Sequence, residues 1–220
     1  MAKPNEIDFA DGDRLRGNTG ADRPVGAPVA APDRVSPQAP LHPAEAVAVV
    51  DFWREAGAGR WFAKDSAFDR RFRDRFLSWH EAAARGELSH WRASATGALA
   101  LVLLLDQFPR NAFRGTPRMY ATDAMVREAA AAAIDAGHDR VAETELQIFF
   151  YLPFAHSEDL ADQDRSVALV RRLGQPNLSH AESHRNIVRR FGRFPHRNPI
   201  LGRPTTREEQ WFLDDGGYAG

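Results

Sequence analysis

A chain of 220 residues, 43% hydrophobic and 27% charged, has the composition of a globular protein with one main core. Its formal net charge of -1 argues against a surface built throughout for nucleic acid or for an anionic membrane. The absence of cysteine excludes disulfides, thiolate nucleophiles and thiolate metal sites.

The first 40 residues are rich in Gly, Pro, Asp and Arg and hold few large apolar side chains. Such a segment buries too little surface to offset the entropy lost on ordering. It is predicted to be a disordered tail before one helical domain over residues 41–220. It lacks the apolar stretch of a secretory signal, and the longest apolar run, Ala98 to Leu105, is too short to span a bilayer. A cytoplasmic protein is expected.

Helical signals follow from Pro43 onward almost without interruption. Pro43 suits a first helical turn, and Asp65 suits the N-cap of a second helix. Behind that cap, Phe68, Phe72 and Phe76 recur at i, i+4 and i+8. This spacing is typical of a stripe that faces the core.

Thr96 is the predicted N-cap of the next helix, ALALVLLLDQF, which is apolar on every face and therefore belongs at the centre of a bundle. Five more helices follow: residues 117–136, a short one containing residues 145–152, residues 157–173, residues 178–191, and one behind the capping-box threonines Thr205 and Thr206. No alternating strand pattern of useful length occurs. The sequence predicts an all-α fold of roughly eight helices in an antiparallel array with short connections.

Three segments carry a resemblance to a known family. They are LLLDQFPRNAFRG (Leu103 to Gly115), FFYLPFAHSEDLADQ (Phe149 to Gln163) and RFGRFPHRNPILGR (Arg190 to Arg203). In this order they resemble the bacterial family catalogued as domain of unknown function 924, from about Ala44 to Leu213. The resemblance implies a compact all-α fold similar to tetratricopeptide-like helical arrays. It implies no particular reaction, because the family has no established one.

The segment from Phe191 to Arg203 is interrupted by two glycines and two prolines, so it is predicted to be a shaped, cationic loop. Loops held by a rigid scaffold often carry binding groups. The residues expected to bind a carboxylate or phosphate here are Arg190, Arg193, His196, Arg197 and Asn198. The alternative is that these arginines bond helix-end carbonyls and carboxylates such as Asp106 and Glu158.

A second polar set follows the apolar helix and consists of Asp106, Gln107, Arg110, Asn111 and Arg114. An aspartate at the end of a buried helix needs a partner, because an unpaired buried charge is costly. Arg110 or Arg114 is expected to supply it. The set forms either one wall of a ligand pocket or a structural ion-pair network around Pro109.

His156 is the candidate acid or base. It precedes Ser157, Glu158 and Asp159, of which Ser157 is the predicted N-cap and the two acids fall in the first helical turn. Glu158 or Asp159 is expected to raise the pKa of His156 and to orient the ring. A helix start explains the other three residues without any catalysis.

His184 shares a helix face with apolar neighbours, so it is expected to point inward and to line the same site. With His180 it has the i, i+4 separation that can chelate a metal, with Glu158, Asp159 or His196 as the third ligand. The pair is better interpreted as packed histidines, and no metal site is predicted.

Two hypotheses from different classes result. In the first, the three motif segments form one polar pocket that binds a small anionic molecule through Arg110, Arg193 and Arg197. Its chemistry would be hydrolysis or proton transfer without a cofactor, because the chain has neither a dinucleotide fingerprint nor a cysteine. In the second, a non-catalytic scaffold binds a peptide or protein on a concave helical face. Nucleic acid is disfavoured as a partner by the overall charge and by the lack of a known motif.

Overall fold

The computed structural model describes residues 43–218, and the predicted tail of residues 1–40 lies outside them. Within the described range every regular element is helical, which confirms the all-α prediction. The α-helical segments are α1 (Ala44–Ala56), α2 (Ala58–Trp61), α3 (Ser66–Ala84), α4 (Ala95–Val102), α5 (Phe108–Ala112), α6 (Asp123–Asp135), α7 (His138–Val141), α8 (Leu152–Ala155), α9 (Leu160–Val170), α10 (Asn177–Phe191) and α11 (Arg207–Asp214). No described helix combines the length and the apolar character required to cross a bilayer.

The predicted phenylalanine stripe on α3 lies in the core. Asp65 caps the helix by accepting hydrogen bonds from the backbone N–H groups of Ala67 and Phe68. Phe68, Phe72 and Phe76 are then all buried against α1 and the central helix. Aromatic packing of this kind stabilises a core beyond the area it buries.

The central helix runs from α4 to α5 without a break, but its middle is a π-helical turn at Leu103–Gln107. There the N–H of Phe108 donates to the carbonyl of Leu103, five residues back. All side chains from residue 97 to residue 109 are buried, as the all-round apolar pattern predicts. The predicted cap was wrong, since Ser94 rather than Thr96 accepts the N-terminal hydrogen bond of α4.

The predicted helix over residues 117–136 is interrupted, because α6 begins only at Asp123, after a 3-10 turn at Pro117–Tyr120. Thr122 lies at this break and its backbone is not helical. Its hydroxyl donates to the carbonyl of Leu105 in the π turn at 2.5 Å. The side chain of Thr122 thus fixes the place where the chain leaves one helix and enters the next.

The N-cap of α9 is Asp159 rather than the predicted Ser157. Oδ1 of Asp159 accepts from the N–H groups of Ala161 and Asp162 at 2.7 and 3.3 Å. The hydroxyl of Ser157 instead accepts from the N–H of Asp159 at 3.2 Å. The helix therefore starts two residues later than expected, and Ser157 stays in the loop that carries the candidate histidine.

The short helix predicted around residues 145–152 is a 3-10 segment, Thr144–Phe150, that leads into α8. Pro153 lies in the first turn of α8, where its missing N–H costs no helical hydrogen bond. Two other predicted signals are confirmed. Gly192 ends α10 in the left-handed conformation, and Thr206 starts α11 with a complete capping box.

Candidate functional site

A hydrogen bond between His156 and Asp106 forms the centre of the polar site. Nδ1 of His156 donates to Oδ1 of Asp106 at 2.9 Å, and Asp106 is fully buried in the π turn. Nη1 of Arg110 lies 3.0 Å from the same oxygen, and the Gln107 amide donates to the other at 2.6 Å. Burial alone would raise the pKa of this carboxyl, but Arg110 and the two hydrogen bonds lower it to about 2. Asp106 is therefore an anion at neutral pH.

His156 is neutral in this arrangement. Burial, together with the charge of Arg110, lowers the pKa of His156 below its ordinary value of 6.5. A neutral ring that donates from Nδ1 keeps its lone pair on Nε2, and no hydrogen bond to Nε2 is formed within residues 43–218. A carboxylate that orients an imidazole in this way makes the second nitrogen a competent general base.

Arg197 is a deeply buried cation, since only 6% of the residue is exposed. Few nearby groups compensate its positive charge. Its Nη2 donates to the neutral carbonyl of His156 at 2.8 Å, while its closest ion pair is a 3.6 Å separation from Asp123. Its Nε has no hydrogen-bond partner in the described part of the chain. Burial and the charge of Arg110 both lower the pKa of Arg197.

Asp123 and Tyr120 complete the group, which we call the dyad cluster and define as Asp106, Arg110, Tyr120, Asp123, His156 and Arg197. Asp123, the first residue of α6, lies 2.9 Å from Nη2 of Arg110. The Tyr120 ring has the Arg197 guanidinium at 4.5 Å and that of Arg110 at 6.0 Å, both within reach of cation–π attraction. Neither residue could be found from the sequence, because Asp123 falls inside the helix predicted over residues 117–136 and Tyr120 belongs to no pattern.

The loop that carries His156 is held by its backbone. Gln163, fully buried on α9, donates its amide to the carbonyls of Ala155 at 2.8 Å and Ser157 at 2.6 Å. Arg197 holds the carbonyl between them. Three successive carbonyls are thus fixed, which keeps the ring of His156 in place against Asp106. Gln163 lies in one of the quoted motifs, and its position there was the only signal for it.

The π turn is held by side chains from outside its own helix. Nδ1 of His80 donates to the carbonyl of Leu104 at 2.8 Å, while Thr122 bonds that of Leu105. Burial lowers the pKa of His80, so this donor is neutral. π-helical turns occur often at functional sites, and here the turn carries Asp106.

A second group of rings lies next to the dyad cluster and consists of His184, Phe194, His196 and Tyr218. The Tyr218 ring centroid lies 4.5 Å from that of His184 and 5.1 Å from that of His196. Burial, with help from neighbouring histidines and Arg197, lowers the pKa of His184 to about 3 and that of His196 to about 4. Nδ1 of His196 is buried and has no hydrogen-bond partner among the described residues. His184 points inward, as its helix face predicts.

Glu158 anchors the cationic loop instead of contacting His156. It pairs with Arg203 through two hydrogen bonds of 2.7 and 3.0 Å and accepts a third from the N–H of Phe194 at 2.8 Å. The carboxylate beside His156 thus comes from Asp106, fifty residues earlier in the chain.

Three other predicted residues, Asn111, Arg114 and Asp159, have partners outside the dyad cluster. Asn111 and Arg114 both bond Asp69 on α3, at 2.7 Å each, so they tie the end of α5 to α3. Asp159 is occupied as the cap of α9.

The remaining predicted residues of the cationic loop tie it to α11. Arg193 makes a two-bond ion pair with Glu209 at 2.6 and 2.9 Å, and the buried amide of Asn198 donates to the same carboxylate at 3.2 Å. Arg190 pairs with the exposed Glu208. Within residues 43–218 no three His, Asp or Glu side chains come together as a metal site would require.

Comparison with known proteins identifies the family to which the chain belongs. The family model described as a bacterial protein of unknown function (DUF924) matches residues 49–217. A solved structure of a protein of unknown function from Agrobacterium tumefaciens is similar, with a TM-score of 0.78 and 57% identity over 79% of this chain and 98% of that one. No curated protein matches the chain. The chain therefore belongs to the bacterial family of unknown function DUF924, as its three motifs predict.

Proposed function

We propose that the dyad cluster binds a small molecule that carries a carboxylate or phosphate, and that His156 acts on it as a general base and acid. The observation that supports this most is Arg197, a buried cation with no hydrogen-bonded counter-ion, whose side chain holds the backbone of the candidate base. A buried charge of this kind is costly, and an anion bound beside it would remove the cost.

The chemistry that fits is hydrolysis or proton transfer. His156 would take a proton on Nε2 from a bound water while the water oxygen bonds to the acyl or phosphoryl centre. The same proton would then pass to the leaving group as its bond breaks, which returns the ring to its neutral form. Asp106, with a pKa of about 2, remains ionised throughout and stabilises the imidazolium between the two steps.

The second candidate is a non-catalytic, tetratricopeptide-like scaffold that binds a peptide or protein. A specific observation favours it: Arg114, Arg190 and Arg193 all pair with carboxylates and act as ties between elements. Under this function the dyad cluster would also be an internal tie, and its loss would cost stability rather than activity.

The test uses His156→Gln and Arg197→Gln in a thermal-shift screen against anionic metabolites at fixed ionic strength. Glutamine at position 156 can still donate an N–H to Asp106 but cannot act as a base. A ligand at a hundred times its Kd stabilises the wild type by about 2.7 kcal/mol. This shift should be lost in Arg197→Gln and kept in His156→Gln, which should lose turnover alone.

Two exposed residues on other surfaces serve as controls, His90→Gln and Arg189→Gln, and both should behave as the wild type. If no anion in a broad panel shifts the wild type, or if Arg197→Gln shifts as much as the wild type, anion binding at this cluster is wrong. A destabilised His156→Gln with no ligand response would support the scaffold instead.

A further inference from the structure

A groove of about 560 Å³ runs along α10 and is lined at one place by Tyr218. Its apolar lining comes from Ile187, Phe191 and Phe212, and the Phe191 and Phe212 rings lie 5.1 Å apart. Ser179, Ser183 and Asn186 on α10 add neutral polar groups, and Glu182 and Arg190 on the same helix add one charge of each sign. A volume of this size, with aromatic walls and a few polar groups, is typical of a site for a small organic molecule.

The other wall of the groove is the C-terminal strap, which we define as residues 215–218. Gly216 has φ 81°, and the N–H of Gly217 donates to the carbonyl of Phe212 at 2.9 Å, while that of Gly216 donates to Leu213 at 3.3 Å. This pair of bonds is a Schellman motif, which reverses the chain at the end of α11. A Cβ on Gly217 would lie 2.4 Å from the Phe212 oxygen, so only glycine fits there. The motif returns Tyr218 to α10.

Tyr218 contacts both the groove and the histidines. Tyr218 lines the groove, and its ring packs edge-on against the rings of His184 and His196. Behind those rings, Phe194 carries the guanidinium of Arg197 at 4.7 Å from its centroid. Tyr218 is 39% exposed, whereas Phe194 is buried. Tyr218 is thus shared by the aromatic groove and the ring group that leads, through Phe194, to a poorly compensated cation.

We propose that the groove binds the apolar part of an amphipathic anion, an aryl or alkyl carboxylate or phosphate, and that Tyr218 moves aside to let its charged group reach Arg197. This inference rests on the proposed function and names the class of ligand for it. Aromatic side chains in the groove then give affinity through the apolar part, while Arg197 fixes the position of the anionic group.

Calorimetry with matched probes tests the ligand class: phenyl phosphate against inorganic phosphate, and phenylacetate against acetate. In the wild type the aryl member of at least one pair should bind ten-fold more tightly or better. Ser183→Phe, at an exposed position that lines the groove, should remove this preference by filling it. Ser78→Phe, exposed on α3, is the control and should retain it.

Equal affinities within both pairs would overturn the groove as a ligand site while leaving anion binding intact. If none of the four probes binds the wild type, the proposed function fails and this inference fails with it.

The role of Tyr218 can be read without any ligand, from the rate at which diethylpyrocarbonate modifies each histidine. His184 and His196 are neutral at pH 7, the form that reacts, because their pKa values are about 3 and 4. In Tyr218→Ala both should react at least ten-fold faster than in the wild type, and in Tyr218→Phe at the wild-type rate. Exposed His90 is the internal reference. Equal rates in the wild type and Tyr218→Ala would show that Tyr218 does not close this passage and would overturn the proposal.

Discussion

Acidification from pH 7 to pH 4 is expected to lower the free energy of unfolding by several kcal/mol. In the folded protein burial lowers the pKa of His184 to about 3 and that of His196 to about 4, against an ordinary value of 6.5. Below pH 6.5 the unfolded chain binds protons at both rings and the folded chain does not, so stability falls as the pH falls. The loss continues until the folded values are reached, at about 1.4 kcal/mol for each pKa unit.

Urea unfolding at pH 7, 6, 5 and 4 measures this dependence. The double variant His184→Gln/His196→Gln should lose more than half of it. The remainder belongs to His156 and His80, whose pKa values are also lowered by burial, and near pH 4 to Asp106 and Glu209, whose arginine partners help to lower their pKa values to about 2. His90→Gln removes an exposed histidine and should leave the dependence unchanged. A double variant as sensitive to acid as the wild type would contradict the assignment.

Asp106→Asn is expected to destabilise the protein by about 3 kcal/mol, because it removes a fully buried charge and with it the ion pair to Arg110 and the charge-assisted hydrogen bond from His156. The matched control is Asp51→Asn. Asp51 also pairs with an arginine, but its side chain is 45% exposed, so the change should cost less than about 1 kcal/mol. Chemical denaturation at pH 7 measures both.

A second variant separates charge from packing. Arg110→Met in the Asp106→Asn background removes the cation that has lost one of its two carboxylates, and Asp123 keeps an ion pair with Arg197. The double variant should therefore lose less free energy of unfolding than Asp106→Asn and Arg110→Met lose together as single variants. Simple additivity would mean that Asp106 and Arg110 do not act as a pair.

Much of the fold could be predicted because its signals are local. The phenylalanine stripe of α3, the glycine after α10 and the capping box of Thr206 each depend on residues within one or two turns. The π turn could not be predicted in this way. Its helix is apolar on every face, so an extra residue leaves no change in the hydrophobic period.

The candidate site was predicted in part. His156, Asp106, Arg110 and Arg197 stood out as polar residues in unusual places, but the partner of His156 was expected among the acids next to it in sequence. Pairing across fifty residues depends on tertiary packing, which no local pattern encodes. For the same reason the sequence could not show which of Arg193 and Arg197 is left free to bind an anion. The carboxylate that pairs with Arg193 comes from Glu209 on α11.

The π turn at Leu103–Gln107 adds one residue to the central helix and thereby sets the direction in which the side chains of α5 point. Deletion of one residue there would allow regular helical hydrogen bonds, and the helix would stay apolar all round its core-facing length. The residues of α5 would rotate by about 100° and shift by about 1.5 Å relative to α4. Arg110 would then turn away from Asp123, so the extra residue of the π turn is what brings Arg110 into the dyad cluster.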